Sequence, residues 1–96
     1  MVELKTLNLN IMTLDLLKVG QSATITAIHI TDAERRRLLD LGILPGTQIE
    51  NVMASPLGDP VAYRVRNSIV ALRREQAELI EVEENFDKNN FLWHRE

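Results

Sequence analysis

The chain passes from helix to strand within a few residues, and this passage constrains the fold more than any other stretch. Asp32 to Leu41 has the composition of a short helix. Thr31 stands at the N-cap position and Glu34 follows at capping-box spacing. Gly42 takes positive φ without a Cβ clash and so ends the helix. Pro45-Gly46 suits the two central positions of a type II turn, Pro fixing the first φ and Gly supplying the second. A strand then starts at Thr47. Leu38, Leu41 and Ile43 are expected to anchor the segment to a core. Nothing in it is a nucleophile or a metal cluster, so its role reads as architectural.

Before this segment, Leu4, Leu7, Leu9 and Ile11 alternate loosely. Residues 1–12 read as an N-terminal extension, either a leader or an added edge strand. Thr13 caps a short turn in which Leu14 and Leu17 share the buried side, and Gly20 breaks it. Ser22 to Ile30 is rich in β-branched residues and reads as the first long strand. Ala23, Ile25 and Ala27 alternate with Ser22, Thr24 and Thr26, and the apolar phase then slips to Ile28 and Ile30. The slip predicts a bulge near Ala27.

Thr47 to Ala54 is the second long strand, where opposite phases at Ile49 and Val52 predict another bulge. Ser55-Pro56-Leu57-Gly58-Asp59-Pro60 follows, a stiff exposed loop in which Asp59 is expected to brace its own turn. Val61 to Arg66 alternates strictly, with Val61, Tyr63 and Val65 inward and Ala62, Arg64 and Arg66 outward. Asn67-Ser68 makes a tight turn, with Asn67 the residue that tolerates the left-handed region. Ile69 to Leu72 is a fourth strand. Arg73 to Glu78 has room for one helical turn, and Leu79 to Val82 gives a fifth strand with Ile80 and Val82 inward. The fold class is therefore all-β: a small, partly open barrel over residues 13–82, with one inserted α-helix and a one-turn helix. Residues 83–96 form an acidic, aromatic tail. Its Phe86 and Phe91-Leu92-Trp93 either fold back on the barrel, hang free, or anchor a partner or a second copy.

Composition removes most chemistry. There is no cysteine, hence no disulfide, thiolate catalysis or cysteine-held metal. His29 and His94 lie far apart with no ligand-spaced companions, so no metal site and no cofactor are expected. No phosphate loop or serine elbow occurs, and an enzyme is not expected. No apolar run approaches the roughly 20 residues of a membrane span, and no signal peptide is visible. The net charge of −3 disfavours general nucleic-acid binding. Within it, the seven basic residues from Arg35 to Arg74 outnumber the acids Asp40, Glu50 and Asp59. Asp40 is expected to pair with Arg36 one helical turn back. Arg64, Arg66 and Arg73 suggest a basic strip. Tyr63, the stacking candidate beside that strip, faces inward, so nucleic acid is not expected as a partner.

The ordered set of motifs resembles the FeoA family. It comprises Arg37 to Gly46, with Ile49 and Val52 following, then Ser55 to Pro60, Ile69 to Arg73, and Ala77. Leu14, Leu17, Gly20 and the Ile25–Ile28 strand match the family's opening. Each motif alone is weak, whereas their order is specific. Asn67 departs from the glycine often found at that turn. The resemblance implies an SH3-like barrel, related to the C-terminal domain of DtxR-type iron-dependent repressors. It also implies a cytoplasmic accessory protein of ferrous iron uptake. Its partner would be the membrane transporter FeoB, which has a cytoplasmic GTP-binding domain, and it would lie against the inner membrane through that partner. The alternative is a nucleic-acid-binding or repressor-associated module.

The candidate partner contacts are two loops whose shape is set before docking: Leu44-Pro45-Gly46, and Ser55, Pro56, Leu57, Gly58, Asp59 and Pro60. Leu44 and Leu57 are their apolar anchors. Arg64, Arg66 and Arg73 join them, while Gly42 and Asn67 are structural turn residues. A partly open barrel leaves a strand edge, so self-association into a homo-oligomer is expected at high concentration.

Overall fold

The computed structural model describes residues 11–85. Within them a six-stranded antiparallel sheet curls around one core, in the order β1-β6-β2-β3-β4-β5. The strands are β1 (Ile11–Thr13), β2 (Ser22–Ile28), β3 (Gln48–Ala54), β4 (Val61–Val65), β5 (Ser68–Leu72) and β6 (Ile80–Glu84). Helix α1 spans Asp32–Asp40 and the one-turn α2 spans Arg74–Ala77. Ile11 and Met12, the part of the 1–12 stretch among the described residues, belong to β1, which pairs with β6 through Ile11↔Glu83 to Thr13↔Glu81. Residues 1–10 and 86–96 lie outside the described residues, and with them Phe86 and the Phe91-Leu92-Trp93 cluster. The first strand stops at Ile28 instead of Ile30, and the last extends past Val82 to Glu84.

Both phase slips become bulges. The β2–β6 register shifts between Ile25 and Ala27, and the β3–β4 register between Asn51 and Met53. Each extra residue bends its strand, which lets so short a sheet curl over its own interior. Leu14, Ile25, Leu38, Ile43, Ile49, Tyr63, Val65, Leu72, Ile80 and Val82 fill that interior. The inward triplet on β4 holds, with Tyr63 and Val65 buried and Val61 packed on the core's margin.

The punctuation after α1 is a Schellman cap. Gly42, at φ 96°, donates its N–H to Leu39 O, and Ile43 donates to Leu38 O, both at 3.0 Å. Leu38 and Ile43, the apolar pair of the motif, are both buried. The turn beyond it is type II in its glycine φ of 93° and in the Thr47 N–H to Leu44 O bond of 3.1 Å. Gly46 N–H also donates to Ile25 O at 2.7 Å, which clips the turn onto β2 beside its bulge.

Five local expectations fail for physical reasons. Leu41 is 36% exposed and adds little to the core, because the helix ends before turning it inward. Thr31 makes no side-chain cap. Asp32 sits at φ 61°, which breaks the alignment a capping box needs. Glu34 is thereby released to accept from Gln76 Nε2 of α2 and from Arg37 Nη2 at 3.1 Å. The ion pair on the helix is therefore Glu34–Arg37, where Asp40–Arg36 was expected. The left-handed residue of the β4–β5 hairpin is Arg66, at φ 57°, and not Asn67. The loop has only two residues, and the common turns of that length need positive φ at the first of them. Finally, Asp59 does not brace its own loop through its side chain. Its Oδ1 accepts from the N–H of Arg74 at 2.9 Å and so caps α2.

Candidate docking surface

The predicted contact residues fall into two groups at opposite ends of β3. Val65 pairs with Ile49 near the start of that strand, so Arg64 and Arg66 lie at the same end as Gly42 and the Leu44–Gly46 turn. Val61 pairs with both Ala54 and Leu72, which places the Ser55–Pro60 loop beside Arg73 at the far end. Arg73 follows Leu72, four ladder positions from the Arg64–Ile69 pair, or roughly 13 Å at strand rise. The basic strip is therefore interrupted. Arg64 is also occupied, its Nε lying 3.3 Å from Glu50 Oε1 across the ladder. The Arg66 side chain lies over Gly42, where an added Cβ would come within 3.2 Å of its Cδ.

The two loops differ in kind. Leu44 is half-buried, and its turn is tied into the barrel by the Gly46–Ile25 bond. At the far end, Gly58 N–H closes a turn on Ser55 O at 2.8 Å, and Ser55 N–H bonds Pro60 O at 3.1 Å. Gly58 sits at φ 87° and leaves Leu57 at the tip, 92% exposed. An apolar side chain held out on a doubly bonded loop has the shape of a docking knob. Its ordering cost is met before any partner arrives. Leu57, Asp59, Arg74, Glu75 and Glu78 border one shallow depression beside it. On the other side Met53, Ala54, Pro56, Pro60, Ala62 and Ala71 line an apolar groove.

Sequence reasoning missed that groove. Its floor is a row across three strands, Met53–Ala62–Ala71, next to the row Glu50–Arg64–Ile69. The bulge at Val52 throws Met53 onto the outer face, where it is 62% exposed, and Ile69 is 56% exposed. The phase slip at Val52 was the available signal, but the row also needs the register of two neighbouring strands. Asn51 was missed as well. It is 4% exposed, donates from Nδ2 to Leu17 O at 2.8 Å, and exchanges backbone bonds with Gly20 and Gln21. It holds the loop before β2 against β3.

Burial raises the Tyr63 hydroxyl pKa from 10 to about 12, with smaller contributions from the charges of Asp15 and Asp59. His29 Nε2 lies 3.4 Å from Glu81 Oε1 on the exposed side of β6. Among the described residues no group of three or more histidine, aspartate or glutamate side chains could hold a metal ion. No helix among them is long and apolar enough to cross a membrane.

Comparison with known proteins agrees with this architecture. A family model described as the FeoA domain matches residues 12–84. A curated relative from Porphyromonas gingivalis, an Fe(2+) transport protein A/Fe(2+) transporter FeoB fusion protein, is 42% identical over 72 residues. That match takes in 75% of this chain and 8% of the relative's length. The solution structure of the FeoA protein from Chlorobium tepidum is 36% identical with a TM-score of 0.75, covering 78% of this chain and 71% of that one. The crystal structure of Stenotrophomonas maltophilia FeoA complexed with zinc is described as a procaryotic SH3 domain protein. It is 33% identical with a TM-score of 0.66, covering 75% of this chain and 89% of that one. The IdeR of T. acidophilum, 22% identical with a TM-score of 0.68, shares the fold over 78% of this chain and 34% of its own.

Proposed function

The chain belongs to the FeoA family, and on that premise we propose that it docks on the cytoplasmic part of the ferrous iron transporter FeoB and modulates it without catalysing a reaction. The observation that carries this reading is the Porphyromonas gingivalis relative, whose name joins Fe(2+) transport protein A and FeoB in one protein. Joining two domains raises their effective concentration and favours a contact that separate chains must make by affinity. In this chain the contact centres on Leu57 and the Ser55–Pro60 loop, with the Leu44–Gly46 turn at the other end of β3 as a second contact. The protein works in the cytoplasm, held at the inner membrane by its partner. The repressor-associated alternative is weaker, because Arg64 is spent on Glu50 and Tyr63 is buried, so neither is free for a nucleic acid.

Binding of the purified cytoplasmic part of FeoB, measured with the intact chain, Leu57→Ala and Arg64→Glu, tests the proposal. Saturable binding that Leu57→Ala weakens is the expected result. Absence of binding, together with tight and salt-sensitive binding of DNA or RNA, would reverse it.

A further inference from the structure

Among the described residues, strand β5 is an edge of the sheet that carries neither charge, proline nor bulge. Among those residues it pairs with β4 alone. Its residues, Ser68-Ile69-Val70-Ala71-Leu72, include no charge and no proline, and its ladder carries no bulge. Edge strands are ordinarily blunted by one of these devices, because unpaired backbone groups template a further strand. The two-residue loop makes Val65 and Ser68 the closing hydrogen-bonded pair. Alternation along the ladder then gives Tyr63–Val70 and Val61–Leu72 the next bonded pairs. Ile69 and Ala71 are left turning their N–H and C=O groups outward. Among the described residues, no backbone bond outside the ladders uses either of them. Both side chains are exposed on the outer face, Ala71 continuing the apolar row from Met53 and Ala62, and Ile69 ending the neighbouring row from Glu50 and Arg64.

The charges at the two ends of this edge define what fits it. Arg66 stands before β5, and Arg73 and Arg74 stand after it. Arg64 has Glu50, but among the described residues no ion pair or side-chain hydrogen bond engages the guanidinium of Arg66, Arg73 or Arg74. A second copy of β5 is a poor occupant. Laid antiparallel, its Arg66 end meets Arg73 and Arg74; laid parallel, like ends meet directly. Positive charge faces positive charge both ways.

We infer that β5 is a strand-addition site for an extended segment of a partner protein, about five uncharged residues long with an acidic residue at each end. Backbone bonds to Ile69 and Ala71 supply the pairing. Apolar side chains at alternate positions lie beside those two on the outer face, and the acidic ends meet Arg66 and Arg73. The inference concerns a strand edge and not the Leu57 loop, and it holds whether or not the partner is the transporter.

The test uses a synthetic peptide of glutamate, threonine, valine, threonine, valine, threonine and glutamate, and a control with lysine at both ends. Amide NMR of the full chain follows each titration. The glutamate peptide is expected to move the amides of Ile69 and Ala71 saturably and to slow their hydrogen exchange. The lysine peptide is expected to bind about tenfold more weakly, the size of two or three exposed charge pairs. Ala71→Pro removes an outward N–H that the β4 ladder does not use, and should abolish binding. Ile69→Lys serves as the second variant, adding a charge to the edge, and should do the same. Equal binding of both peptides, shifts confined to other residues, or binding that survives both variants would overturn the inference. So would a dimer of the peptide-free chain that Ile69→Lys abolishes, which makes a second copy the occupant. Exchange at Ile69 and Ala71 that speeds up only when residues 86–96 are removed would overturn it too, making the chain's own end the occupant.

Discussion

The two proline- and glycine-containing loops flanking β3 look alike in composition and do opposite things. Between α1 and β3, Gly42 and Gly46 place backbone donors onto Leu39 and Ile25, and Leu38 and Ile43 close over the core. Between β3 and β4, Gly58 closes a turn that leaves Leu57 outside. The first loop uses its stiffness to pack, and the second uses it to present. What separates them is where the next apolar side chain goes: Ile43 falls onto the barrel, whereas Leu57 has no strand to follow. Turn chemistry therefore reports rigidity, and only the surrounding register reports purpose.

The sharpest way to break this contrast is to strain both glycines. Gly42→Val combines a left-handed backbone with a Cβ 3.2 Å from Arg66 Cδ, at the Schellman cap of the main helix. A loss of about 3 kcal/mol is expected. Gly58→Ala has a similar φ with nothing within 4 Å, and should cost about 1 kcal/mol. Denaturant midpoints of the two variants decide, and equal losses would remove the distinction between a packed and a presented turn. Asn51→Ala comes next. It orphans the buried Leu17 carbonyl beside the packed end of β3 and should cost about 2 kcal/mol by the same measurement.

How far the sequence could be read follows from which features are local. Alternation at Val61–Val65, the glycine stop at Gly42 and the phase slips near Ala27 and Val52 each involve a few neighbouring residues, and all reappear in the structure. Asp59 capping a helix 15 residues on, Glu34 reaching Gln76 and Asn51 holding Leu17 depend on which strands lie side by side. So does the Met53–Ala62–Ala71 row. No periodicity within one strand carries that information. Arg66 replaced Asn67 at positive φ because loop length outranked residue preference. Leu57 was read as an apolar anchor from loop composition alone, and its exposure is supplied by the turn closing beneath it.

The buried face of β4 adds a pH signature. Tyr63 is the chain's one tyrosine, so its ionisation can be followed by phenolate absorbance. Its pKa is raised to about 12 by burial, so the folded state holds the proton more tightly than the unfolded chain does. The stability this contributes is complete below pH 10 and is lost as pH rises from about 10 to 12. Denaturant midpoints flat to pH 10 and falling above it, with phenolate appearing alongside unfolding, are expected. Free titration near pH 10 in the folded protein would contradict the burial. A smaller effect, about 1 kcal/mol, is expected of Asp59→Ala, which uncaps α2 without touching the core. Thermal melts check it, and no loss would mean that Asp59 serves the loop only.

The smallest expected effect on stability belongs to the residue with the largest expected effect on function. Leu57→Ala removes an apolar side chain that is 92% exposed. One titration of the cytoplasmic part of FeoB against Leu57→Ala, with a melt of the same sample, tests the central claim directly. A melting temperature within about 2 °C of the parent and an affinity lower by about tenfold or more are expected. Unchanged affinity with a lowered melting temperature would show that the loop packs instead of presenting, and would contradict that claim.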